Sequence, residues 1–207
     1  MARRPPTNPR KKASQDRSRA TVDALVEATA RILVKEGFDK ASTNRIAAKA
    51  GVSVGSLYQY FPCKEALVAA VMGRHHRELM QVARRTLVEV ASQPMEKAVR
   101  KLVAAAMEAH SIDPELHRVL AEQIPRTGKL ENLEAFNRET YGMFRSYLES
   151  HRAEFRAVDL DLAAFVCVTS IEALTHTAVL HHAAMLADGA SEALVDEATR
   201  LVVRYLT

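Results

Sequence analysis

The seven glycines and seven prolines of this chain stand between long runs rich in alanine, leucine, glutamate and arginine. Glycine and proline end helices, and the residues between them are good helix formers. No strand pattern interrupts these runs along the 207 residues. Glycines and prolines at these spacings predict an all-α protein with about nine helices.

The first periodic run begins at Ser18, and apolar residues such as Leu25 and Leu33 recur on one face of the predicted helix. Gly37 ends this helix, because glycine tolerates the positive φ of a C-terminal cap. Ser42 is the expected N-cap of a second, short helix with the sequence NRIAAKA, and Thr43 is the alternative cap.

The stretch from Gly51 to Gly55 matches G-x-S-x-G, which is also the pattern of a hydrolase nucleophile elbow. That elbow needs a strand before its serine, whereas a helix is predicted before Gly51. Ser53 is therefore expected to cap the next short helix, which Pro62 ends. Two short helices joined at a glycine fit a helix-turn-helix, and a catalytic Ser53 is the alternative.

Longer helices are predicted beyond Pro62. Asp113, Pro114 and Glu115 read as the start of one helix, and Ser191 reads as the N-cap of the last one. The expected ranges are 64–90, 94–111, 114–124, 129–154, 159–187 and 192–206.

Charge is unevenly distributed along the chain. Residues 1–64 hold 13 Lys and Arg against 5 Asp and Glu, whereas residues 65–207 hold 16 against 20. A basic segment joined to an acidic remainder suggests that one end meets a polyanion such as nucleic acid. A solvated basic tail is the alternative.

Residues 1–17 contain several prolines and cations without apolar periodicity, which predicts a disordered basic arm. The arm either contacts DNA or only aids solubility. It does not resemble a signal peptide, and no later run is long and apolar enough to suggest a membrane partner. We therefore expect a cytoplasmic protein in which Cys63 and Cys167 are reduced thiols.

Residues 18–65 closely resemble the TetR family of bacterial transcriptional regulators. The resemblance rests on ASTNRIAAKAGVSVGSLYQYFPCKEAL, preceded by a helix ending in KEGF. Cys63 departs from the family pattern, which has a small polar cap there. The resemblance implies a helix-turn-helix DNA-binding domain at 18–63 and a helical ligand-binding and dimerisation domain at 64–207.

The resemblance also implies which residues contact a palindromic double-stranded DNA operator. Asparagine pairs with adenine, valine touches a thymine methyl, and hydroxyls at helix N-termini suit phosphates. The expected DNA-binding residues are Thr43, Asn44, Ser53, Val54, Gly55, Ser56, Tyr58, Gln59, Tyr60 and Lys64.

A dimer formed by the last two helices is the further implication, since helix 159–187 is apolar nearly all round. The candidate interface residues are Ile171, Leu174, Ala178, Leu194, Ala198, Leu201, Val202 and Tyr205. A monomeric core is the alternative explanation of that pattern.

Members of the family bind a small molecule among the C-terminal helices, so apolar residues near isolated polar groups are ligand candidates. They are Met107, His110, His117, Gln123, Phe136, Tyr141, Phe144, Tyr147, Glu172 and His176. We expect a dimeric repressor that its ligand releases from DNA, although the sequence leaves activation open.

No enzymatic, metal or cofactor site is expected. Adjacent histidines such as His75 and His76 splay over different helix faces, and no P-loop or C-x-x-C pattern occurs. A lowered thiol pKa at Cys63, beside Lys64, would suggest a redox sensor as an alternative. A ligand-independent architectural DNA protein and an enzyme built on a C-terminal pocket are the remaining alternatives.

Overall fold

A computed structural model describes residues 16–124, 126–156, 158–187 and 189–207, without the side chains of 16, 17, 126–136 and 185. The predicted all-α class is confirmed, since the described residues form nine α-helices and two short 3₁₀ helices. The α-helices are α1 (Asp16–Glu36), α2 (Thr43–Ala50), α3 (Val54–Tyr60), α4 (Lys64–Val90), α5 (Met95–Ser111), α6 (Pro114–Glu122), α7 (Arg126–Ser150), α8 (Leu160–His181) and α9 (Ala190–Leu206). Most of the predicted basic arm, residues 1–15, lies outside the described residues, and α1 begins two residues earlier than expected.

The helices pack into two units. One comprises the described residues up to His76 together with Glu115–Leu133, and the other comprises Arg77–Pro114 and Glu134–Thr207. The predicted domain boundary at 63–64 was drawn where the helix-turn-helix ends. It stays a prediction about function, because the packing units divide the chain elsewhere.

The core of the first unit joins α1, α2, α3, the first part of α4, and α6. Leu25, Ile46, Leu57 and Leu67 have no exposed surface in it, and Leu120 of α6 packs into the same core. Because α2 and α3 are only eight and seven residues long, burial against these longer helices holds them in place.

The core of the second unit joins α5, α8 and α9 with the later parts of α4 and α7. Val99 of α5, Leu148 of α7 and Leu206 of α9 are fully buried, and Cys167 of α8 is 1 % exposed. Among the described helices, α8 has the length and composition to cross a membrane, a test that a buried core helix also passes. Here α8 packs against α5 and α9.

The predicted C-terminal end of α8 was six residues too late, and the predicted start of α9 was two residues too late. α8 begins after Asp159, whose carboxylate accepts from the Leu162 amide, and it stops at His181 before a 3₁₀ helix at Ala183–Leu186. Ser191 does not cap α9. Gly189, with φ of +85°, is the N-cap residue instead, a conformation that glycine adopts without strain.

Candidate DNA interface and ligand cleft

The turn between α2 and α3 is built by local capping. Ser42 Oγ accepts from the Arg45 amide at 3.4 Å, and Ser53 Oγ accepts from the Ser56 amide at 3.1 Å. Gly51 adopts a left-handed φ of 69°, and its N–H donates to the last turn of α2. The predicted caps are confirmed, and Ser53 follows a helix, so it does not stand on the strand that a nucleophile elbow requires.

One face of α3 is exposed while the other is buried. Leu57 is fully buried, whereas Val54 and Tyr58, one helical turn apart, are 36 % and 41 % exposed. Among the other predicted DNA-binding residues, Asn44, Ser53, Gly55 and Gln59 are exposed and Thr43, Ser56 and Lys64 are partly exposed. Polar groups, a glycine and two large side chains thus share one accessible surface, named here the α2–α3 face.

Two hydrogen bonds organise side chains of the α2–α3 face. The hydroxyls of Thr43 and Tyr58 lie 3.1 Å apart and link the start of α2 to α3. Lys64 Nζ donates to the Phe38 carbonyl at 3.2 Å and lies 4.2 Å from the centre of that ring. Lys64 therefore also ties the turn after α1 to the start of α4.

Tyr60 differs from the other predicted DNA-binding residues. It is 8 % exposed, and its hydroxyl donates to Ser18 Oγ at 3.2 Å. The Tyr60 side chain is directed from α3 toward α1 and is part of the core. A contact with phosphate would require this hydroxyl to leave Ser18.

Two cations on α2 were missed in the sequence analysis. Arg45 and Lys49 are both exposed, and Arg45 forms an ion pair with Glu36. Their spacing of four residues on the helix before the turn was the available signal, because such a pair lies on one helix face.

The second unit contains an apolar cleft between α4, α5, α7 and α8. It holds about 740 Å³ of space between atoms, part of it open to solvent. Its walls are mostly leucine, methionine and alanine, and the described residues that line it are Leu79, Met80, Val82, Ala83, Leu87, Leu102, Ala105, Ala106, Ala109, His110, Thr140, Met143, Phe144, Val168, Ile171 and Glu172.

The polar residues of the cleft lie on three helices. His110 Nε2 on α5 lies 3.3 Å from Glu172 Oε2 on α8, with the His110 side chain 3 % and the Glu172 side chain 48 % exposed. The Thr140 hydroxyl on α7 donates to Met80 Sδ at 3.4 Å. The cleft thus combines a long apolar wall with one histidine–carboxylate pair.

Among the predicted ligand residues whose side chains the structure describes, His110, Phe144 and Glu172 line the cleft. His176 lies beside it, with its ring centre 5.7 Å from that of His110. Tyr141 contacts Thr169 and Phe165 instead. The Phe136 side chain lies outside the described residues.

Four other predicted ligand residues lie outside the cleft, in the two packing units. His117 lies in the first unit, where its Nδ1 is 2.6 Å from His75 Nε2, and Gln123 lies in that unit against Gly37. Met107 and Tyr147 are buried in the core of the second unit, and burial raises the pKa of Tyr147 to about 12. These four residues therefore lie outside the described lining of the cleft.

Half of the eight predicted interface residues are buried inside their own chain. Val202 and Ala198 are 1 % exposed in the core, and Ile171 lines the cleft. Ala178 is also buried, and Leu174, Leu194 and Tyr205 are partly buried against the same core. Within the predicted set only Leu201 is well exposed, at 49 %.

Two exposed apolar residues of α8 were not in the predicted interface. Leu162 is 58 % exposed and Phe165 is 52 % exposed. Because α8 is apolar nearly all round, its sequence did not distinguish the face that packs on α5 and α9 from the one left at the surface.

Cys63 lacks the property that a redox sensor requires. Burial raises the pKa of its thiol, the Glu65 carboxylate adds to the rise, and a hydrogen bond from the Ala66 amide only partly opposes it. The expected lowering by Lys64 does not occur, since that amine is directed to Phe38. The thiol instead serves as an N-terminal cap of α4.

Comparison with known protein families decides the family. Residues 94–206, more than half of the chain, match the family described as Tetracyclin repressor-like, C-terminal domain. Residues 25–71 match the family described as Bacterial regulatory proteins, tetR family. The chain belongs to the TetR family.

Two curated TetR-family relatives are repressors. The chain is 28 % identical over 138 residues to the HTH-type transcriptional repressor NicS of Pseudomonas putida, covering 65 % of this chain and 64 % of that protein. It is 34 % identical over 55 residues to the repressor KstR of Mycolicibacterium smegmatis, covering 27 % of each. The chain thus spans less than two thirds of the length of the curated relatives it matches.

Solved structures share the TetR-family fold. The fatty acid degradation regulator FadR from Bacillus halodurans superposes with a TM-score of 0.70 at 17 % identity, covering 93 % of this chain and 96 % of that one. The complex of SmeT, from Stenotrophomonas maltophilia, with triclosan gives 0.65 at 21 % identity, covering 88 % and 91 %. At this identity the likeness concerns the fold alone.

Proposed function

We propose that this protein is a homodimeric transcriptional repressor in the cytoplasm, and that a small molecule in the cleft releases it from a palindromic operator. The α2–α3 face carries the proposal. It presents two large side chains, Val54 and Tyr58, on a short capped helix that follows another helix through the left-handed Gly51. Such a face on a helix-turn-helix suits the major groove.

The roles on DNA follow from the chemistry of each side chain. Asn44 is suited to pair with an adenine edge, and Val54 to touch a thymine methyl. Gly55 lets the backbone of α3 approach the groove closely, because it has no Cβ. Thr43 and Ser53 stand at the N-termini of α2 and α3, where hydroxyls and backbone N–H groups suit phosphates.

Cations add the part of the affinity that does not depend on sequence. Lys64 has donors beyond the one directed to Phe38, and Arg45 and Lys49 are exposed on α2. Each phosphate contact made by such a cation releases a counterion, so binding weakens as the salt concentration rises.

Dimerisation is proposed through α8 and α9. A single helix-turn-helix reads few base pairs, so proteins of this class usually bind two half-sites about 34–36 Å apart. The exposed Leu162, Phe165 and Leu201 on these helices would bury their apolar surface against a second copy.

Release by a ligand is proposed from the cleft. Its lining is largely apolar with a few polar groups, as in small-molecule sites. SmeT, of the same fold, has been solved with triclosan, and both curated relatives are named repressors. Those names support repression and small-molecule control as proposals for this chain.

Selection of bound DNA from a random-sequence library tests the proposal, followed by fluorescence anisotropy on the selected sequence. We expect an inverted repeat, two subunits per duplex by sedimentation, and lower expression of a reporter gene behind the operator. Binding without sequence preference would contradict the proposal and favour an architectural protein. Increased reporter expression would contradict repression and indicate an activator.

A further inference from the structure

We propose that the cleft binds an apolar molecule that carries a protonated amine at one end, held by Glu172. The inference rests on the proposed small-molecule control and specifies its chemistry. Three features of the cleft carry it: the size of the space, the position of its polar groups and the sign of its charge.

The size of the space limits the ligand. The cavity inside the cleft has a volume of about 110 Å³. At about 10–15 Å³ for each water position, this volume corresponds to roughly seven to eleven positions. The space is open because four of its lining residues have small side chains; they are Ala83, Ala105, Ala106 and Ala109. A compact molecule of about ten to twelve non-hydrogen atoms therefore fits.

The walls favour an apolar body. Alanine, leucine and methionine side chains make up most of the lining, and Met80 and Met143 are flexible side chains that adapt to different shapes. A strongly polar molecule would lose its hydration here without replacement hydrogen bonds. The apolar part of the ligand is thus expected between α4, α5 and α7.

The polar groups of the cleft favour a donor on the ligand. Glu172 is a carboxylate, which accepts hydrogen bonds and donates none. Thr140 directs its proton to Met80, so toward any further group it acts as an acceptor. An ammonium group presents three donors and matches this set.

The charge of the cleft lining also favours an ammonium group on the ligand. Glu172 is the only Asp, Glu, Lys or Arg among the described residues that line the cleft. A carboxylate ligand would be repelled by the Glu172 carboxylate, whereas an ammonium group is attracted to it.

Three probes with one shared body test the head group: 4-butylbenzylamine, 4-butylbenzyl alcohol and 4-butylbenzoate, titrated into the full-length protein by calorimetry at neutral pH. We expect the amine to bind about fivefold more tightly than the alcohol, and the benzoate to bind most weakly. A benzoate that binds as tightly as the amine would overturn the proposal. Failure of all three to bind at millimolar concentration would also overturn it.

Substitutions test whether the probes bind in the cleft and whether Glu172 causes the preference for the amine. Glu172→Gln keeps the shape and removes the charge, so the preference for the amine over the alcohol should fall below about threefold. Glu197→Gln, on α9 and paired with Arg200, is the matched control and should keep the preference. Ala106→Leu fills the cleft and should weaken all three probes alike. An unchanged preference in Glu172→Gln, or unchanged binding in Ala106→Leu, would place the probes elsewhere and contradict the inference.

Operator release is measured separately, so the two proposals fail differently. If the amine binds through Glu172 but does not release the selected operator, small-molecule control by this cleft is contradicted while the ligand chemistry stands. If the benzoate releases the operator and the amine does not bind, control stands and the ligand chemistry is wrong.

Discussion

Tyr58 is an exposed aromatic side chain whose hydroxyl is already engaged by Thr43. The bond joins α2 to α3 on the surface proposed to meet DNA, so it orients the ring before any DNA arrives. A ring held in place loses less side-chain entropy on binding than a freely rotating one. Tyr58 is therefore expected to act through both its ring and its hydroxyl.

Substitutions at Tyr58 separate these two contributions. Tyr58→Ala should weaken operator binding by about 1–3 kcal/mol, and Tyr58→Phe by about 0.5–1.5 kcal/mol, since only the hydroxyl is lost. Anisotropy on the selected operator measures both. Val88→Ala changes an exposed side chain of α4 outside the α2–α3 face and should bind like wild type. Wild-type affinity in Tyr58→Ala would show that Tyr58 does not contact DNA.

Cys63 allows a second test at the residue scale. Its thiol accepts from the Ala66 amide at the start of α4, and sulfur is a weak acceptor. Cys63→Ser should therefore stabilise the protein by about 0.5–1 kcal/mol, and Cys63→Ala should destabilise it by a similar amount. Urea unfolding of the three proteins gives the order. A serine variant less stable than the alanine variant would show that thiol packing outweighs capping here.

At the scale of elements, neighbouring residues of α9 face opposite ways. Leu201 is 49 % exposed, whereas Val202 is 1 % exposed in the core. Leu201→Glu should therefore split the dimer while the chain stays folded, because each copy would bring a carboxylate into the interface. Val202→Glu should unfold the chain, since the charge would lie in its own core. Sedimentation at micromolar concentration, with circular dichroism alongside, distinguishes the two, and a dimeric Leu201→Glu variant would remove α9 from the interface.

The short helices could be predicted because their signals are local. Ser42, Gly51 and Ser53 occupy the cap positions that their side chains favour, so the helix-turn-helix follows from sequence. The cleft could not be predicted in this way. Its walls are mostly apolar side chains from four helices, and nothing local distinguishes Ala106, which lines a cavity, from Ala98, which is packed in the core.

At the scale of the whole molecule, the sequence indicated the order of the helices but not which of them share a core. α6 packs with α1–α3, although it follows the predicted DNA-binding domain by about fifty residues. Apolar periodicity shows that a helix has a buried face and does not show what covers it. For the same reason the sequence did not show that Val202 is buried in its own chain while Leu162 is exposed.

Alkaline conditions should weaken the second unit through a thiol in its core. Burial raises the pKa of Cys167 to about 12 from an ordinary value of 9.0. Below pH 9 the thiol keeps its proton in both states. Between pH 9 and 12 the unfolded chain loses that proton while the folded chain retains it, so the contribution to stability is lost as pH rises.

Comparison of wild type with Cys167→Ala isolates this effect. The alanine variant should be less stable at pH 8, because it leaves a small cavity in the core. The difference in unfolding free energy between the two proteins should shrink by about 1 kcal/mol between pH 9 and 10. Only the wild type has a thiol at position 167 that stays protonated in the folded state and loses its proton in the unfolded chain. Tyr147 and Cys63 titrate in both proteins and cancel from the difference. Urea unfolding under reducing conditions at pH 8, 9 and 10 gives both profiles, and parallel profiles would mean that Cys167 ionises as easily in the folded protein as in the unfolded chain.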